Sequence, residues 1–180
     1  MQILNHAISV DPGDHTGFAI WRGSLYPEVG QFNLKKSKKI ISQEDELIYL
    51  WTCFSNLLIE HNPRVVYIEG VEFWEGSSKS MMAAKRQNLS KLAYLVGGYG
   101  NEAASRGIPI RLLPARIWKG QMSNEVLEQK LFRINGQQYA SDHILNAVGI
   151  GMSRIGLLLN TKRQPGKAIK SKVRHEGWRS

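Results

Sequence analysis

A single cysteine, Cys53, stands in a chain of 180 residues, so no internal disulfide can form. It falls within an apolar helical pattern, which suits a small core residue better than a nucleophile. No stretch approaches the roughly 20 apolar residues that a membrane-spanning helix needs. The first residues, Met1-Gln2-Ile3-Leu4-Asn5-His6, lack the basic and apolar regions of a signal peptide. Acids are scarce: 15 Asp and Glu stand against 24 Lys and Arg, a net charge of +9. These absences argue against a disulfide-stapled secreted domain and against a membrane protein. They predict a soluble, cytoplasmic protein with no membrane partner. The basic surplus favours a polyanion, and nucleic acid is the stronger candidate. With 42% hydrophobic residues, the length suits one domain with a substantial core.

The first third reads as short strands at 3–10, 17–21 and 28–34, separated by Gly, Pro and charged residues, as in an antiparallel meander. The Lys-rich stretch 35–39 leads to a helical pattern over 44–60. There Leu47, Leu50, Trp51, Phe54, Leu57 and Leu58 recur at three- and four-residue steps, and His61-Asn62-Pro63 ends the run. Residues 65–68 form a continuous apolar run, the mark of a strand buried on both faces. A long helical pattern covers 81–104, interrupted at Gly97-Gly98. A further strand is predicted at 107–112. Ser123 can cap a helix through 132, and Ser141 another through about 159. The order β-β-β-α-β-α-β-α-α gives an α/β fold, a mixed five-stranded sheet flanked by helices. From 161 the composition changes to a basic tail, with seven Lys and Arg against the single acid Glu176. We see no internal repeat. The expected division is a domain over 1–160 and a tail over 161–180.

Two acids end predicted strands. Ile8-Ser9-Val10-Asp11 runs into Pro12-Gly13, and Val65-Val66-Tyr67-Ile68-Glu69 into Gly70. Such an ending projects a carboxylate off the sheet. Singly, each acid suits a turn or a solvated strand end. Two charges that each follow a buried strand call for compensation. If the strands are neighbours, their tips converge, and the last helix can bring Asp142, His143 or Asn146 to the same point. Residues 142 and 146 lie one turn apart, and 143 and 146 also share a face. Oxygen-rich sites of this kind hold hard cations, and a pair of cations about 3.5–4 Å apart serves phosphodiester hydrolysis. For Asp142 the plain alternative is a first-turn acid favoured by the helix dipole.

The blocks Ser9-Val10-Asp11-Pro12-Gly13 with Thr16-Gly17, Tyr67-Ile68-Glu69-Gly70-Val71, Gly97-Gly98, and Ser141-Asp142-His143-Ile144-Leu145-Asn146-Ala147 come in a specific order. In that order the chain resembles the RuvC family of Holliday junction resolvases, particularly its bacteriophage branch, within the ribonuclease H-like fold. The resemblance covers residues 1 to about 155 and leaves out the tail. It implies a crossover junction endodeoxyribonuclease that resolves four-way junctions by paired symmetric cleavage, and possible action on other branched DNA. It also implies a homodimer formed through the helix after Glu69, and Mg2+ as cofactor, with Mn2+ as substitute and two ions per site. For a phage protein the compartment is the host cytoplasm.

Residue by residue, the resemblance implies Asp11 and Glu69 as metal ligands, with His143 and Asn146 aligned to the two ligand positions of the last helix. The family has an acid where Asn146 stands. Asp142 taking over that role, a junction-binding protein with weak or no cleavage, and a deliberately inactivated variant are the three explanations. His143 is a candidate ligand or proton donor. Phe73 and Trp74, adjacent aromatics in a Gly/Ser-rich loop, are candidates to wedge into or stack on unpaired bases. Lys79, Lys85, Arg86 and Lys91 are candidate phosphate contacts. Ile117-Trp118-Lys119-Gly120-Gln121 is similar to a family segment whose Lys approaches the scissile phosphate. An RNA:DNA hybrid nuclease on the same fold is a further reading.

Overall fold

Apolar residues alternate along the first strand, so that each face of the sheet finds its own partner helices. The computed structural model describes residues 4–34, 42–71 and 79–158, with only the backbone for 79–87. Strand β1 (Asn5–Asp11) lies at the centre of five. It pairs antiparallel with β2 (Gly17–Arg22), which pairs antiparallel with β3 (Glu28–Gln31). On its other side β1 runs parallel to β4 (Val65–Gly70), and β4 parallel to β5 (Ile110–Pro114). The sheet order is therefore β3-β2-β1-β4-β5, a mixed five-stranded sheet of ribonuclease H-like type.

Ile8, Val10, Val66 and Ile68 face helices α1 (Gln43–His61) and α2 (Lys79–Ser105), where Leu50, Phe54, Leu58, Leu95 and Tyr99 complete one apolar core. The alternate residues Ala7, Ala19 and Trp21 face the other way. They meet Leu127 and Leu131 of α4 (Asn124–Asn135) and Leu145, Val148, Ile150 and Met152 of α5 (Asp142–Arg154). Ser42, Ser123 and Ser141 cap α1, α4 and α5, each accepting a backbone N–H three residues on.

Several boundaries differ from the sequence reading. Helix α2 runs unbroken through Gly97-Gly98. A Cβ on Gly98 would fall 2.0 Å from Trp51 Nε1, so this glycine admits the indole of α1 instead of ending a helix. The last predicted strand lies further along, because Ile108 N–H returns to the Ala103 carbonyl and closes α2. A short helix, α3 (Ala115–Trp118), follows β5 without having been foreseen. β3 stops at Gln31. On β4, Val66 and Ile68 are buried while Val65 and Tyr67 are half-buried, so that strand is sealed on one face only. Cys53 is half-buried and free. No helix of the described residues is long and apolar enough to cross a membrane.

Candidate active site

The register of β1 and β4 decides where the two strand-tip acids go. Val10 is opposite Ile68, so Asp11 and Glu69 are the next residues on adjacent parallel strands. Val10 and Ile68 point to α1 and α2, and alternation turns Asp11 and Glu69 to the face covered by α5. Asp11 is only 6% exposed, while Glu69 is half-buried.

Close packing presses α5 against this face. Ser9 Oγ donates to the Ala147 carbonyl at 2.6 Å and accepts from Trp21 Nε1 at 2.8 Å. A Cβ on Gly17 would sit 2.3 Å from the backbone carbonyl of His143. That seating brings two residues of α5 onto one carboxylate oxygen. His143 Nδ1 lies 2.9 Å from Asp11 Oδ2, and Asn146 Nδ2 donates to the same oxygen at 3.2 Å. The spacing of three places both on one helix face. Lys119, just after α3, donates to Asn146 Oδ1 at 3.1 Å and to Asn124 Oδ1 at the start of α4.

The charges set the protonation of His143. Its hydrogen bond to Asp11 raises its pKa above the ordinary value, burial opposes this, and the negative charges of Asp11, Asp142 and Glu69 add to the rise. The charge of Glu69 therefore reaches the imidazole. Asp142 is exposed on the first turn of α5, and it acts on His143 through its charge.

The turn beyond Asp11 is braced from α2. Thr16 Oγ1 donates to the Gly13 carbonyl at 2.9 Å and lies 2.9 Å from Tyr99 Oη. Lys91 pairs with Asp14 at 2.6 Å and with Glu46 of α1. Its side chain is 18% exposed, so it serves as a strut between that turn and two helices and is not presented for phosphate contact. Burial alone would lower its pKa, but the hydrogen bonds that its ammonium donates to Asp14 and Glu46 raise it overall. Phe73 and Trp74 lie outside the described residues, as do the side chains of Lys79, Lys85 and Arg86.

Sequence reasoning missed two neighbours. His15 is half-buried with its ring 6.3 Å from that of His143, and its Nδ1 is buried without a partner among the described residues. Asn124 fixes Lys119. Neither belongs to a motif. Position 124, directly after the capping Ser123, was the only signal.

Among the described residues no three His, Cys, Asp or Glu gather into a group able to hold a metal ion. A closed protein cage is not what Mg2+ requires, since one or two carboxylates with waters and substrate phosphate usually suffice. Two carboxylates at adjacent strand tips fit that pattern, with Asp11 Oδ1 the oxygen not engaged by His143 or Asn146.

No protein-family model matches the chain, and no curated protein matches it. Solved structures do. Thermus thermophilus RuvC aligns at 16% identity over 84% of this chain and 96% of its own, with a TM-score of 0.55. The T. thermophilus RuvC structure in complex with a Holliday junction substrate gives 17% identity, 87% and 98% coverage, and a TM-score of 0.58. The yeast mitochondrial Holliday junction resolvase gives 13%, 88% and 81%, and 0.57. This chain has the fold of the RuvC-type resolvases.

Proposed function

We propose that the protein is a divalent-metal-dependent, structure-selective endonuclease that resolves Holliday junctions, and other branched DNA, by paired symmetric cleavage. One observation carries the reading: Asp11 and Glu69 end adjacent parallel strands on a common face, and α5 lays His143 and Asn146 over Asp11. Asp11 and Glu69 would hold Mg2+, with Mn2+ as substitute. When bound, such an ion supplies Lewis acidity toward the phosphate and toward the attacking water. The chain's own groups do the rest. His143 keeps Asp11 oriented and holds a proton beside it. Lys119 adds a fixed positive charge where a phosphodiester gains negative charge on reaction.

The +9 charge suits a DNA partner, with Phe73 and Trp74 as base-stacking residues and Lys79, Lys85 and Arg86 as phosphate contacts. The basic tail over 161–180 would lie along flanking duplex. A four-way junction has approximate two-fold symmetry, which calls for a C2 dimer. The face of α2 that carries Tyr94, 67% exposed, and the open position Gly97 suits that contact. The host-cell cytoplasm suits the proposed function. A second reading, a junction binder with weak cleavage, is favoured by Asn146, because a neutral amide replaces an acid.

Cleavage of a four-way junction, a linear duplex and an RNA:DNA hybrid, each with Mg2+ or Mn2+, tests the reading. The expected result is symmetric cutting of the junction, reduced more than about a hundredfold in Asp11→Asn with junction binding kept. Cutting of the hybrid alone, or full activity in Asp11→Asn, would overturn it. Binding without cutting, together with cutting restored by Asn146→Asp, would identify an inactivated nuclease. Binding without cutting in both forms would support the binder.

A further inference from the structure

Asn146 stands where the resemblance expects an acid, and its neighbours decide which way its amide faces. A lysine ammonium only donates, and a carboxylate only accepts. Lys119 Nζ lies 3.1 Å from one terminal atom of Asn146, which is therefore the carbonyl oxygen. The other terminal atom, 3.2 Å from Asp11 Oδ2, is the NH2 group. Turning the amide over would set N–H against ammonium and oxygen against carboxylate, repulsive at both ends. Asn124 holds Lys119 from behind.

The consequence falls on Asp11. A carboxylate that bridges two cations offers one oxygen to each. Here Oδ2 already accepts from Asn146 Nδ2 and faces His143 Nδ1 at 2.9 Å. Oδ1 is the oxygen that neither of them engages. Asn146 offers this pocket an N–H and no lone pair.

We propose that Lys119 and Asn146 make this a one-cation site. A single divalent ion is held by Asp11 Oδ1 and Glu69, and Lys119 is the positioning residue that keeps the Asn146 oxygen turned away from it. The inference rests on reading the site as that of a metal-dependent nuclease, and it replaces the two ions implied by the resemblance with one.

The test is to titrate the metal-free full chain with Mn2+, counting bound ions by calorimetry and by the electron paramagnetic resonance signal of free Mn2+, with junction cleavage measured on the same samples. The expected count is one ion per chain, rising to two in Asn146→Asp. In metal-free protein, the side-chain amide protons of Asn146, followed by 15N NMR, should exchange at least about tenfold faster in Lys119→Met, with backbone signals elsewhere unmoved. Two ions in the unaltered chain would overturn the inference and leave the nuclease reading standing. No bound ion would also overturn it, and the absence of cleavage in that sample would remove the nuclease reading as well. A count that stays at one in Asn146→Asp, or unchanged amide exchange in Lys119→Met, would likewise overturn it.

Discussion

Against one face of the sheet, α1 and α2 bury Leu50, Phe54, Leu58, Leu95 and Tyr99 over Ile8, Val10, Val66 and Ile68. Against the other, α5 lies so near β1 and β2 that Gly17 has no room for a Cβ. The first face is held mainly by large apolar side chains, and burial of this kind is proportional to area and indifferent to direction. The second adds directed contacts, with Ser9 tied to Ala147 and to Trp21. Helix α5 carries the polar groups that touch Asp11, so the face that needs positional accuracy is the one fixed by hydrogen bonds and small residues. Among the described residues, the α2 face reaches the site through its braces, Tyr99 on Thr16 and Lys91 on Asp14.

The sharpest way to separate the faces is to damage each and compare stability with cleavage. Phe54→Ala on the α1 side removes a fully buried ring and should lower stability by about 3–5 kcal/mol in denaturant unfolding, with junction cleavage per folded molecule unchanged. Gly17→Ala should cost about 1–3 kcal/mol by overpacking, and should also abolish cleavage, because α5 must withdraw with His143 and Asn146. If Gly17→Ala leaves cleavage intact, the distinction between the faces fails. Ser9→Ala leaves the Trp21 N–H without its acceptor and should cost about 1–3 kcal/mol by the same unfolding measurement.

Much of this contrast was legible in the sequence. The acids Asp11 and Glu69 at the strand ends, the caps Ser123 and Ser141, and the three-residue step from His143 to Asn146 are local signals, and local signals survive folding. What was not legible depends on partners distant in the chain. Lys91 reads as a surface cation until Asp14 and Glu46 arrive on either side of it. Gly97-Gly98 reads as a helix break until Trp51 is seen to need the space at Gly98. The orientation of Asn146 depends on Lys119, 27 positions away, and His15 gained its neighbour His143 only through the docking of α5.

The smallest expected effect is that of pH on the metal-free protein. The pKa of His143 is raised above its unfolded value of about 6.5, chiefly by Asp11. Its contribution to stability is therefore fully present below that pH, and is lost as pH rises through the higher folded-state value. The effect is small because the side chain is 37% exposed and its charge is screened by solvent. Unfolding curves on either side of neutrality check it, and His143→Gln should flatten that part of the profile.

Because α5 is the last described element, Asp11 waits for its partners on that helix until every other described element has been synthesised. A polypeptide cut short before residue 141 would leave Trp21, Ser9 and the neighbouring sheet bare, a sticky surface carrying the carboxylates of Asp11 and Glu69. Truncated products should therefore aggregate.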